Sequence, residues 1–326
     1  MSKEFPKIEG ILTDFEENYE ILDKIGEGTF AKVKKAKNKK TGELVAIKFI
    51  DKKKVTKDSS RIEALLKEIE IMNKQKHPYI IPLYGIYDYE DKLCLVMELV
   101  TGGELFDKIV DRGSYSERDA SLLMLQMFRA VRYMHQKSIP YCDIKIENIL
   151  YESDHPLSPV KLSDFGLSRL IEENLMMQTS RGTPGYVAPE VLENKGIGLE
   201  CDLWSLGVIM FVLLCGYPPF YHENEVAMFH LIQEAKFEFD PQYWDQISAS
   251  AKDLISHLLV VDTTKRFNVE QALSHPWFSE ALPTYKLEAA FDKIKEKKIK
   301  NMFHSTSVTA NVVTLVTWLK KQPSRL

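Results

Sequence analysis

At 326 residues the chain exceeds what one hydrophobic core usually serves, and 44% hydrophobic with 28% charged residues is an ordinary soluble composition. A formal charge of −4 gives no basic field for nucleic acid. Cys94, Cys142, Cys201 and Cys215 are too irregularly spaced for a disulfide framework or a zinc site, which points to a reducing, cytoplasmic setting.

In chain order, residues 1–18 are polar, acidic and aperiodic, and read as a loose N-terminal extension without an apolar stretch of signal-peptide length. From Tyr19 to Val100, β-branched runs at Lys32–Ala36, Leu44–Ile50 and Leu93–Glu98, punctuated by Gly26, Gly28 and Gly42, predict strands and turns. One helix interrupts them, because Ile62, Leu65, Leu66, Ile69 and Met72 recur at helical spacing between Arg61 and Lys76. After Thr101-Gly102-Gly103, longer periodic segments at Ala120–Lys137, Cys201–Cys215 and Ala251–Leu259 predict helices. The longest apolar run, Leu206 to Cys215, is far short of the ~20 residues a membrane span needs and reads as a buried core helix. Pro283–Lys320 has no glycine, and no proline after its first residue, so it reads as largely helical. The pattern is α+β: a small β-rich lobe over 19–100, a larger helical lobe over 101–278 and a helical tail over 279–326. The final Ser324-Arg325-Leu326 resembles the address read by peroxisome-type import receptors, although an unremarkable polar end is the plainer reading.

Seven short runs carry chemistry. Gly26-Glu27-Gly28-Thr29-Phe30-Ala31-Lys32-Val33 is a glycine-rich turn between strand patterns, where backbone amides can approach phosphates because two positions lack a β-carbon; a plain hairpin has the same composition. A strand follows it rather than a helix, which excludes a dinucleotide fingerprint, and no GK[ST] supports a Walker loop. Val45-Ala46-Ile47-Lys48 sets a lysine in an apolar strand, and a buried ammonium needs a carboxylate, for which Glu68 on the 61–76 helix is the candidate. Asp143-Ile144-Lys145-Ile146-Glu147-Asn148 spaces a base, a cation and a metal-binding amide around one pocket. Asp164-Phe165-Gly166 follows sixteen residues after Asn148. Gly182-Thr183-Pro184-Gly185-Tyr186, Ala188-Pro189-Glu190 and Asp202-Leu203-Trp204-Ser205-Leu206-Gly207 complete the order. About ten specified identities in sequence, at roughly one in twenty each, exclude coincidence.

With these motifs the chain resembles the eukaryotic protein kinases over residues 19 to about 278, which implies the bilobal kinase fold and phosphoryl transfer from ATP with Mg2+ or Mn2+. The resemblance implies that Lys48 grips the α- and β-phosphates and pairs with Glu68. Asp143 would accept the substrate hydroxyl proton, Lys145 would steady the moving phosphoryl group, and Asn148 and Asp164 would hold the metal. Nucleotide contacts would come from Ile25, Gly26, Gly28, Val33, Ala46 and Leu150, with Met97 guarding the deep pocket and the backbone of Glu98 and Val100 binding the base. Glu190 with Arg266 would form the ion pair anchoring the activation segment, and Asp202 would brace the same lobe.

Lys145 and Thr183 resemble the serine/threonine class, and Glu104 with Glu147 matches the carboxylates that bind an arginine three residues before the phosphorylated one. A solvated helix start is the alternative for Glu104. The runs GGELFDKIV, GTPGYVAPEVL, LLCGYPPFY and HPWF resemble the calcium/calmodulin-dependent protein kinases, type I above all. In the tail, lysines precede Ile299, Phe303, Val308 and Val312, an apolar series that suits a helix wrapped by calmodulin. A tail docked on the large lobe through Leu287, Phe291 and Ile294 is the other reading, and both hold if docking is releasable. The resemblance therefore implies protein substrates, calmodulin as partner, no nucleic acid or membrane, and a monomer.

The chain departs from the family where arginine usually precedes the catalytic aspartate: here Tyr141-Cys142 stands instead. A thiol cannot meet a phosphate, so Thr179, aligned with the activating threonine, loses the usual partner of its phosphate, with Arg169 and Arg181 as the alternative partners. Three readings stay open: a kinase inhibited by its tail, a kinase whose tail is only structural, and a pseudokinase scaffold, against which the complete Lys48, Asp143, Asn148 and Asp164 set argues.

Overall fold

The strand-forming runs of the first hundred residues pair into one antiparallel sheet. The computed structural model describes residues 10–27, 31–55, 65–66, 69–155, 157–163, 184–193 and 195–297. These form two compact units, Met1–Gly103 with Leu150–Leu170, and Glu104–Ile149 with Ile171–Leu326. The first is β-rich and the second helical.

In the first unit β1 (Tyr19–Glu27), β2 (Ala31–Asn38), β3 (Leu44–Asp51), β4 (Leu83–Tyr89) and β5 (Lys92–Glu98) lie in the order β1-β2-β3-β5-β4. The central strand β3 is buried from Val45 to Ile50 without alternation, as a strand covered on both faces must be. One face is closed by Phe15, only 1% exposed, which meets Phe49 and Tyr87 edge-on at 5.9 and 5.7 Å, with Tyr19, Val45, Ile47, Cys94 and Val96 in the same cluster. Backbone bonds Leu12 N to Ile86 O and Asp88 N to Leu12 O hold this segment against β4. Residues 10–18 are thus anchored to the lobe through Phe15 and Asn18, and burying one phenyl ring contributes about 1.5–3 kcal/mol; residues 1–9 lie outside the described residues. Within the expected 61–76 helix, 65–66 and 69–73 are helical.

The short hairpin β6 (Ile149–Tyr151) and β7 (Val160–Leu162) joins this unit although it comes later in the chain. The cause is hydrogen bonding: Thr101 N donates to Glu152 O, Gly102 N to Tyr151 O, and Tyr151 N to Gly103 O, all within 3.0 Å. A β-carbon on Gly102 would sit 2.3 Å from the Ser153 carbonyl oxygen, so only glycine permits this approach.

The second unit contains α1 (Leu105–Arg112), α2 (Glu117–His135), α3 (Glu200–Cys215), α4 (Glu225–Gln233), α5 (Ala249–Leu258), α6 (Val269–Leu273) and α7 (Glu288–Lys297). A reciprocal cap between Ser116 and Asp119 starts α2 three residues earlier than its apolar period suggests. The apolar run ending at Cys215 is buried on every side in α3, with α2, α5 and α7 around it. Helix α7 covers α1 and α3, and its Ala290, Phe291 and Ile294, with Leu287 just before it, are all buried. It begins at Glu288 and not at the expected Pro283, because 284–287 form a strap whose Leu287 N bonds to Tyr115 O at 2.8 Å; residues 298–326 lie outside the described residues. Among the described residues no helix is long and apolar enough to cross a membrane.

Candidate active site

The register of the sheet gathers the expected nucleotide residues on the face opposite Phe15. Ala46 and Lys48 are two residues apart and so share a face, where Ala46 opposes Met97, and Lys48 opposes Leu95 on one side and Val33 on the other. Gly26 opposes Val33 in turn, and Ile25 lies half-exposed on β1. Lys48 is 8% exposed, as a lysine aimed into a lobe should be. Its expected partner Glu68, and Gly28, lie outside the described residues. Met97 closes the inner end of β5, with Glu98, Val100 and Leu150 partly exposed beyond it.

Sequence reasoning missed Lys161. It lies 8% exposed on β7 and donates to Glu98 Oε2 at 2.6 Å while pairing with Glu152 Oε1 at 3.0 Å. Burial opposes its charge, but the hydrogen bonds to the two carboxylates outweigh it and hold its pKa above the usual lysine value. The ammonium on β7 therefore fastens the end of β5 and the residue that follows β6 to one another. A lone lysine within the apolar Val160-Lys161-Leu162 run was the available signal.

In the second unit, Asp202 at the start of α3 organises the loop before β6. Its carboxylate accepts from Tyr141 N at 2.7 Å and Cys142 N at 2.8 Å, and pairs with His135 Nε2 at 2.7 Å. Cys142 sits at φ 66°, a left-handed conformation that a non-glycine residue keeps only when its surroundings enforce it. Immediately after it, Asp143 accepts from Lys145 Nζ at 3.1 and 3.0 Å, and Asn148 Nδ2 donates to Asp143 O and Oδ2 at 2.9 and 3.0 Å. One base, one cation and one amide thus form a single hydrogen-bonded cluster. Because the amide nitrogen of Asn148 is turned to Asp143, its carbonyl oxygen is the atom suited to a hard cation, and the donor set fits magnesium. Asp164 lies outside the described residues, among which no group of three metal-ligating side chains occurs.

Helix α1, with Glu104 at its N-cap, packs on the Ile146–Asn148 turn that carries Glu147. The Tyr186 hydroxyl is pushed well above the usual tyrosine range by burial and then by the charge of Glu147. Arg266 and Glu190 form the expected ion pair, bidentate at 2.7 and 2.8 Å with the guanidinium fully buried; Arg266 also donates to Val260 O and Glu200 O. Thr179 and Thr183, and the tail positions Ile299, Phe303, Val308 and Val312, lie outside the described residues.

The protein kinase domain family matches residues 19–278. The chain is 44% identical over 309 residues to a calcium/calmodulin-dependent protein kinase type 1 of Macrobrachium nipponense, covering 93% of this chain and 88% of that protein. It is 48% identical over 266 residues to myosin light chain kinase A of Dictyostelium discoideum, covering 82% and 90%. It is 46% identical over 280 residues to calcium/calmodulin-dependent protein kinase type 1B of Mus musculus, covering 86% and 78%. The chain belongs to the protein kinase family, in which it is a serine/threonine kinase similar to the type 1 calcium/calmodulin-dependent enzymes.

Proposed function

We propose that the chain transfers the γ-phosphoryl group of Mg-ATP to serine or threonine of protein substrates bearing arginine three residues upstream, and that its tail restrains this activity until calcium-loaded calmodulin removes it. The observation that carries the catalytic part is the Asp143, Lys145 and Asn148 cluster. The substrate hydroxyl gives its proton to Asp143 as its oxygen bonds to phosphorus and the bond to ADP breaks, with Lys145 countering the charge on the moving group. Lys48 holds the remaining phosphates. Magnesium or manganese, taken by Asn148 and Asp164, supplies neutralisation of the phosphate charge. Glu104 and Glu147, on elements that touch, suit the guanidinium of the upstream arginine.

Control falls on the tail because Cys142 offers no guanidinium to a phosphate on Thr179. The buried face of α7 on α1 and α3 supports a docked resting state, and the names of the relatives support calmodulin as the agent of release. Activity of the full chain toward an arginine-containing peptide, with and without calcium-loaded calmodulin, is the test. A rise of about tenfold or more is expected, the upper part of the usual coupling range. Equal activity in both conditions would mean a tail that only braces the helical unit, and no transfer in either would mean a scaffold.

The Lys161 clamp yields a second expectation on the nucleotide side. Lys161→Met leaves Glu98 without its cation beside the base-binding segment, so KM for ATP should rise about fivefold with kcat little changed. Adding Glu98→Gln should recover most of that loss, and steady-state kinetics of the single and double variants checks it.

A further inference from the structure

Helix α7 meets the helical unit through more than its apolar face. Gly216, the left-handed residue that ends α3 at φ 81°, lies so close that a β-carbon on it would stand 2.6 Å from Lys293 Cβ and 2.7 Å from Ala290 O. Backbone therefore rests on backbone at this crossing, and the Lys293 stem starts beside Tyr217. Its Nζ lies 4.8 Å from the Tyr243 ring centroid and 5.9 Å from that of Tyr217, both within the range over which an ammonium is drawn to an aromatic face. We propose that Tyr217 and Tyr243 are the seat of a latch, in which the Lys293 ammonium holds α7 in its docked position and sets how readily the tail is released.

The seat is built without the tail. The Tyr217 and Tyr243 rings meet edge-on at 5.2 Å, and Trp244 Nε1 donates to the Tyr217 hydroxyl oxygen at 3.1 Å. Phe211, fully buried in α3, packs on Tyr217 at 5.5 Å and on Trp244 at 4.7 Å. None of these contacts involves α7, so the rings keep their places when it leaves. Burial pushes the Tyr217 hydroxyl well above the usual tyrosine range, and what Lys293 meets is therefore a neutral ring and not a phenolate. The C-terminal end of α3 beside it adds the pole of the helix dipole that favours a cation.

The buried Ala290, Phe291 and Ile294 supply area but little direction, since apolar burial is non-directional. A charge seated over two rings fixes one rotation and one register of the helix. The strap before α7 is held separately: Arg118 N donates to Pro283 O at 3.2 Å, Leu287 N donates to Tyr115 O at 2.8 Å, and Ser116 pairs with Lys286. The strap therefore stays, and the part that leaves begins at Glu288. This inference rests on the reading that the tail restrains activity. Losing the latch then shifts the docked equilibrium by a fixed factor, which raises basal activity and tightens calmodulin binding together.

The test uses full-length protein carrying Lys293→Met, assayed without calmodulin toward an arginine-containing peptide and followed by hydrogen exchange. Basal activity and exchange over 288–297 should each rise about fivefold, with 283–287 unchanged. Lys293→Arg keeps both at wild-type values, because a guanidinium also seats on rings, and Lys295→Met, exposed on the same helix, changes neither. Tyr243→Leu reproduces the rise, and combining it with Lys293→Met goes no further. Unchanged exchange, faster exchange without a rise in activity, or additive rises in the double variant would each overturn the latch. The wild-type response to calcium-loaded calmodulin separates the two failures. A response there with no basal rise in Lys293→Met removes the latch alone, whereas no response removes the tail reading and the latch with it.

Discussion

Asp143→Asn will lower kcat toward an arginine-containing peptide by about 10²–10⁴-fold, the range that a positioned acid-base group supplies. The amide is nearly the same size and keeps an oxygen to receive Lys145 Nζ, now at 3.0 and 3.1 Å, so the loop should keep its shape. What is lost is the capacity to take a proton. KM for ATP is expected to change little, because the residues proposed to hold the base belong to the sheet-containing unit. A thermal melt alongside the kinetics separates this from unfolding. An Asp143→Asn protein as active as the wild type would remove Asp143 from the proposed chemistry.

Arg266→Ala is the substitution expected to cost most in stability, about 3–5 kcal/mol, because it strands a carboxylate whose partner was fully buried. The guanidinium also satisfies the Val260 and Glu200 carbonyls and lies 5.1 Å from the Trp204 ring, so truncation opens a hole and orphans two acceptors together. Removing both charges with Arg266→Met and Glu190→Leu should recover part of the loss, because a buried ion pair is often no better than apolar groups of similar volume. The carbonyls stay unpaired in that double variant, which limits the recovery. Urea unfolding of the single and double variants measures the difference.

The grouping of the candidate site was legible where it is written in short runs whose members lie near one another. Asp143, Lys145 and Asn148 lie within six positions and do form one cluster, and Glu190 with Arg266 pairs as the family pattern implies. Strongly periodic helices also read correctly, with α3 and α5 beginning within two residues of their expected starts. What failed depends on contacts between distant residues. Phe15 sits in a polar, acidic segment, and only the pairing of Leu12 with β4 brings its ring onto the sheet. Lys161 looks like an ordinary strand lysine until Glu98 and Glu152 arrive beside it. The tail's lack of helix breakers suggested a helix starting at Pro283, but α7 starts at Glu288, where it covers α1 and α3.

Phe15 and α7 bear on where this protein begins and ends as a folding object. The span matched by the family runs from residue 19 to 278, yet the ring at position 15 lies before it, and Leu287, Phe291 and Ile294 lie after it. A fragment trimmed to the matched limits would bare the back of the sheet at one end and the flank of α3 at the other. The family model marks residues 19–278; the packing extends over a longer stretch, and boundaries for expression belong where it stops.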